Sequence, residues 1–134
     1  MARYAIDAPT LVHLVDANVS IHTSHQLVAP NSIRSEALQL LLEDVAAGRR
    51  GDPEALACHD KMTELKMRLL GDRVSRRTAW RIARDQQWDS LRDAEYLAIA
   101  KLQADAFVTV DRGMAARAEK LVRIESIDAL MVAG

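Results

Sequence analysis

Phe107-Val108-Thr109-Val110-Asp111 is a short apolar run that ends on an aspartate, and Tyr4-Ala5-Ile6-Asp7, at the other end of the chain, does the same. A charge directly after a buried strand is an unusual placement. In an α/β sheet the carboxyl ends of the parallel strands are where ligands and catalytic groups gather. Outward from these two runs, strand and helix patterns alternate. Thr10, Leu11, Leu14 and Val15 recur at helical spacing, which predicts a helix over 9–18 with Pro9 tolerated in its first turn. Gln26-Leu27-Val28-Ala29 reads as a second strand ended by Pro30, followed by an amphipathic helix capped at Asn31 or Ser32, reaching Ala47 and stopped by Gly48. Asp52-Pro53-Glu54 opens a helix expected to reach Leu70, before Gly71. Ser75 as a cap predicts a helix through Asp85, and Asp89 as a cap predicts one through Leu102. A strand over 107–109, a helix over 114–120, a last strand over 122–124 and a short helix from Ile127 complete the reading. The alternation predicts an α/β fold, a central mainly parallel sheet flanked by helices, and leaves the strand order open.

Composition sets the class. At 134 residues, 49% hydrophobic and 28% charged, the chain is expected to form one globular domain over 1–134 with a real core. A net charge of -1 gives no global pull toward nucleic acid or membrane. The single cysteine, Cys58, excludes an internal disulfide and a cysteine-based zinc site. With that single cysteine a reducing cytoplasm is the expected compartment; Asp7 and Asp16 interrupt any signal-like apolar stretch, and no window approaches transmembrane length.

Two further acids sit on helix faces that otherwise read as buried. Glu36 shares a stripe with Ile33, Ala37, Leu40 and Leu41, and Asp93 precedes Leu97 and Ala100 by four and seven residues. An ionised carboxylate in low dielectric costs several kcal/mol or shifts its pKa upward unless something compensates. Each acid alone has an ordinary explanation: Asp7 and Asp111 as helix caps, Glu36 and Asp93 as edge residues that reach water or an arginine. Taken together, strand-end acids from both ends of the chain and two inward-facing helix acids suit one mouth of a sheet, where a divalent cation reverses their mutual repulsion. Oxygen-only ligation favours Mg²⁺ or Mn²⁺ over zinc.

These residues resemble those of PIN-domain proteins, most of all the VapC-type toxins of bacterial toxin–antitoxin pairs. The strongest section is Asp93-Ala94-Glu95-Tyr96 and the helix it opens, then Ala104-Asp105-Ala106-Phe107-Val108-Thr109-Val110-Asp111-Arg112. It is similar to the family's aspartate–alanine–x–tyrosine helix and threonine–x–aspartate strand end. Asp7 after the first strand, and Pro30 followed by Glu36 in a long helix, fit as well, and the similarity covers nearly the whole length. The resemblance implies a PIN-like three-layer sandwich and Asp7, Glu36, Asp93 and Asp111 as the acidic metal site, with Thr109 in support. It also implies a Mg²⁺- or Mn²⁺-dependent endoribonuclease acting on RNA, usually a homodimer, held inactive by an antitoxin protein. Asp7, Asp93 and Asp111 are expected as inner ligands, with Glu36 acting through a water. Two positions depart from the family pattern: Pro9 stands where a small polar residue is common, and Ala115 where an acid or amide is common. They favour the alternative, a catalytically weak or inactive PIN-like module that binds RNA or a protein partner. An aspartyl-phosphate enzyme built on Asp7 is disfavoured, since Pro9 occupies the place of its second aspartate.

The arginines at 73, 76, 77, 81 and 84 make one stretch basic, with 73, 77, 81 and 84 on one helical face, and Arg112 adjoins Asp111. They are the candidate RNA contacts. With few aromatics, recognition by backbone and shape is expected over base stacking. Trp80 and Trp88 are expected to pack their helix against a neighbour. His22 and His25 have a zinc-like spacing but no third ligand nearby, and Cys58 reads as a small hydrophobe. Met62, Leu65, Met67, Leu69 and Leu70 read as core or as a partner groove.

Overall fold

Strands and helices alternate along the chain in a computed structural model that describes residues 2–133. The order is β1 (Ala2–Ile6), α1 (Ala8–Asp16), β2 (His25–Pro30), α2 (Ile33–Ala46), α3 (Asp52–Glu64), β3 (Arg68–Leu70), α4 (Arg73–Gln86), α5 (Leu91–Gln103), β4 (Ala106–Val108), α6 (Arg112–Ala118), β5 (Ile124–Glu125) and α7 (Asp128–Met131). The five strands form one sheet in the order β3-β2-β1-β4-β5, and every pairing is parallel. Tyr4 stands between Leu27 and Ala106 in register, Ala29 beside Leu69, and Phe107 beside Ile124. From β1 the chain winds outward through β2 and β3, then crosses back to add β4 and β5 on the other side. The switch in direction therefore falls between β1 and β4, the two strands that end on the opening motifs.

Those two strands are buried on both faces, as central parallel strands are. Ile6, Phe107 and Val108 have no exposed surface. Helix α5 lies against β1, β2 and β4 with α4 packed over it, while α1, α2 and α3 pack on one another. Ala94, Tyr96, Leu97, Ala98, Ile99 and Ala100 of α5 are all buried, the small residues letting the helix approach the sheet closely. Gly48 ends α2 with φ 77, a conformation that favours glycine.

Several local expectations are corrected. The helix opened by Pro53 stops at Glu64, and 68–70 form the edge strand β3 instead of its last turns. Leu65 turns extended, its N–H donating to the Met62 carbonyl at 3.3 Å, and Arg34 donates to that carbonyl (3.4 Å) and to the Leu65 carbonyl (3.1 Å), fixing the helix end. The free edge of β2 then pairs with Arg68, Leu69 and Leu70. The cap of α4 is Asp72, with Ser75 at the third helical position; Ser75 N donates to Asp72 Oδ1 (2.8 Å) and Asp72 N to Ser75 Oγ (2.9 Å). The cap of α5 is Ser90, whose Oγ accepts from Asp93 N at 3.2 Å. His25 belongs to β2, and β5 lies at Ile124–Glu125. Trp80 does not pack its helix: it is 61% exposed, whereas Trp88 is half-buried. Met62 is core, with Leu65, Met67, Leu69 and Leu70 partly buried against it.

Candidate active site

Asp7 leaves the end of β1 and is 3% exposed. It caps α1, and each carboxylate oxygen is engaged. Oδ1 accepts from Thr10 N (3.2 Å) and from the Thr10 hydroxyl, and Oδ2 accepts from the Thr109 hydroxyl at 2.7 Å. Burial pushes its pKa above the ordinary carboxylate value, the threonine hydrogen bonds oppose that, and the charge of Asp111 adds to the rise. The two threonines also tie the far side of the switch point. Thr10 Oγ1 accepts from Val110 N and Thr109 Oγ1 from Asp111 N, both at 3.1 Å. Each hydroxyl gives its one proton to the aspartate and one of its two lone pairs to a backbone N–H.

Asp111 follows β4 and caps α6 through Met114 N at 3.1 Å, leaving an exposed carboxylate at the strand end. Glu36 projects from the first turn of α2. It accepts from the Tyr96 hydroxyl of α5 and from Ser32 Oγ (3.3 Å), and pairs with Arg92 Nε at 3.0 Å. Burial raises its pKa, while Tyr96, Ser32 and Arg92 pull it down. The Tyr96 phenol, buried against that carboxylate, is held far above its usual value. Asp93, in the first turn of α5, pairs with Arg117 Nη2 at 3.1 Å. The Arg117 guanidinium also lies 4.7 Å from the Trp88 ring centroid, in cation–π contact.

All four acids line one open cleft of about 930 Å³ at the carboxyl ends of β1 and β4. Glu43 and Glu95 line it too, so six carboxylate residues face two guanidiniums, Arg92 and Arg117. Pro9 lies on the cleft wall, and the hydroxyl beside Asp7 comes from Thr10, one residue further on. The acids surround the cleft without meeting at a point. Among the described residues no three histidine, cysteine or carboxylate groups stand close enough to hold an ion, Glu36 and Asp93 each being drawn to an arginine.

Sequence reasoning missed the roles of Tyr96, Arg92 and Arg117. Tyr96 and Arg92 flank Asp93 by three residues and one, a visible signal; Arg117 lies 24 residues from Asp93, and nothing local announces it. Arg73, Arg77, Arg81, Arg84 and Arg112 are exposed, and none lines the cleft.

No family profile and no curated protein sequence matches the chain. Solved structures do. PAE2754 from Pyrobaculum aerophilum superposes with a TM-score of 0.74 at 20% identity, over 97% of this chain and 94% of that one. VapBC-1 from nontypeable Haemophilus influenzae superposes with a TM-score of 0.62 at 14% identity, over 92% and 97%. No helix among the described residues is long and apolar enough to cross a membrane. Over nearly its whole length the chain carries the fold of these structures, the PIN-like three-layer α/β sandwich that its sequence resemblance implies.

Proposed function

We propose that the chain is a metal-dependent endoribonuclease that hydrolyses RNA phosphodiester bonds, and the toxin of a toxin–antitoxin pair, acting in the cytoplasm as a homodimer. The carrying observation is that Asp7, Glu36, Asp93 and Asp111, from four separate elements, line one cleft at the switch point of a parallel sheet. The likeness to VapBC-1 and the resemblance to VapC-type toxins support the toxin reading.

The donor set is anionic and oxygen-only, which suits a hard dication. Asp7, Asp93 and Asp111 would hold Mg²⁺ or Mn²⁺, with Glu36 acting through a water. When bound, the ion would lower the pKa of a water and shield the phosphate charge. The chain's own residues do the positioning. Thr10 and Thr109 fix both oxygens of Asp7, Tyr96 and Ser32 fix Glu36, and the threonine links hold Asp111 beside Asp7. Arg92 and Arg117 stand on the cleft wall where they can pair with phosphate oxygens. Six carboxylates against two arginines repel a polyanion, so RNA needs a cation there to enter.

The test is cleavage of RNA in Mg²⁺ or Mn²⁺ by wild type and Asp93→Asn. A loss of at least about 100-fold is expected, the upper end of what removing a ligand's supporting group costs. Cleavage that survives both the substitution and EDTA refutes the mechanism. The arginines paired to Glu36 and Asp93, and Pro9 on the cleft wall, favour a second reading, an inactive module that binds RNA or a protein partner. Mn²⁺ titration separates the two: the nuclease loses affinity in Asp7→Asn, whereas the inactive module has none to lose.

A further inference from the structure

The inward side of α4 is Ser75, Ala79, Ile82 and Ala83, and the helix packs on α5. The outward side carries Arg73, Arg76, Arg77, Arg81 and Arg84, all exposed, with Trp80 in their midst. Trp80 lies four residues after Arg76, three after Arg77 and four before Arg84, spacings that put these residues beside it on one helix face. Elsewhere five of the nine arginines, Arg49, Arg50, Arg92, Arg117 and Arg123, make an ion pair, and Arg34 donates to backbone carbonyls. Among the described residues none of the five on α4 makes an ion pair. Like charges recur at 73/76, 73/77, 77/81 and 81/84, spacings at which repulsion weakens a helix. Asp72, at the cap beside Arg76, and Asp85, four residues after Arg81, set some negative charge against this face, and the mutual capping of Asp72 and Ser75 offsets the remaining repulsion.

Guanidiniums around an exposed indole match the pattern that grips single-stranded nucleic acid, with phosphates on the cations and a base on the ring. The face also connects to the acid cleft. Arg76 lines a groove with Asn31, Ser32 and Glu95, and Ser32 and Glu95 line the cleft as well. We infer that the outward face of α4 is a docking track for single-stranded RNA, its arginines holding successive phosphates and Trp80 stacking a base, with the strand passing Arg76 toward the acids. The choice of RNA rests on the nuclease reading, and adding a stacked base revises the expectation that backbone and shape are read in preference to base stacking. A carboxylate-rich peptide would use the cations and leave the indole without a partner.

The experiment measures anisotropy of a short fluorescein-labelled single-stranded RNA in EDTA, where cleavage plays no part, between about 50 and 200 mM salt. Arg77→Glu with Arg81→Glu is expected to weaken binding at least about tenfold and to flatten the salt slope by about 0.7 for each phosphate no longer neutralised. Lysine at both positions keeps the slope. Trp80→Ala is expected to lose at least about fivefold, and Trp80→Phe to retain most of the affinity. Circular dichroism confirms that each variant is folded. Unchanged affinity and slope in the charge reversal, with wild-type RNA cleavage intact, overturns the inference and leaves the nuclease reading standing. A wild type that neither binds nor cleaves RNA overturns both. A charge reversal that releases polyglutamate but not RNA assigns the face to an acidic protein and overturns the inference.

Discussion

Replacing Asp7 with asparagine in metal-free protein is expected to stabilise the fold at pH 7.5 while destroying the candidate metal site. The wild-type anion is 3% exposed and collects one backbone and two hydroxyl hydrogen bonds. Bonds to a charged acceptor contribute about 1.5–3 kcal/mol each, while removing a carboxylate from water costs several kcal/mol. The upward shift of its pKa says that burial outweighs the bonds. Asparagine caps a helix as well as aspartate does, keeps an acceptor for Thr10 and offers an N–H to Thr109 Oγ1. Relief of the buried charge, less the lost charge assistance, leaves a gain of about 1–2 kcal/mol. For this chain length that is a rise in Tm of about 4–7 °C. The pH dependence fixes the sign. A carboxyl whose folded pKa is raised stabilises the fold while protonated, and that stability is lost as pH rises through the folded value. The advantage of asparagine is therefore absent in acid, where both chains are neutral at this site, and grows as pH rises through the raised folded value. Mg²⁺ at ten times its Kd restores about 1.4 kcal/mol to wild type and nothing to the variant. Thermal unfolding by circular dichroism, from acid to neutral pH with EDTA or Mg²⁺, reads all three effects. A variant about 1 kcal/mol less stable than wild type at pH 7.5 in EDTA would refute the reasoning, because the anion would then be a net structural asset.

Tyr96→Phe removes the hydroxyl that holds the Glu36 pKa down, so the acid limb of the cleavage pH profile in Mn²⁺ should move to higher pH; an unmoved limb separates Glu36 from the chemistry. Arg117→Ala frees Asp93 from its cation and should tighten Mn²⁺ binding about 3–10-fold by calorimetry, a modest gain because the pair is partly exposed. Unchanged Mn²⁺ affinity would show that Arg117 does not compete for the site.

The strand-end acids were legible because a charge breaks an apolar strand pattern at one definite place, and both strands proved central. Asp7 and Asp111 turned out to be helix caps and cleft acids at once: the carboxylate beyond a strand end meets the first N–H groups of the next helix and still faces the crevice. β3 was not legible. Three residues carry no periodicity of their own, and 62–70 continues the apolar character of the helix before it; the strand exists because the edge of β2 was open. Arg117 was illegible for a different reason, since its pairing with Asp93 depends on how α6 and α5 meet in space. Trp80 was misread because an aromatic between arginines fits a packed helix and an exposed platform equally well until burial is known.

On the two proposals, the distribution of arginine separates binding from cutting. In the cleft, guanidiniums are outnumbered by carboxylates and Arg92 and Arg117 are already paired, so that wall repels RNA in the absence of a cation. On α4 the guanidiniums make no ion pair among the described residues, and on the docking proposal that face attracts RNA with or without metal. If both proposals hold, metal-free protein binds RNA on α4 with a strong salt dependence and leaves the strand outside the acids, and neutralising the cleft draws it in. Affinity and turnover then respond to different residues. Charge reversal on α4 should act on KM at any metal concentration, whereas loss of Asp93 should act on kcat and leave RNA affinity in EDTA unchanged.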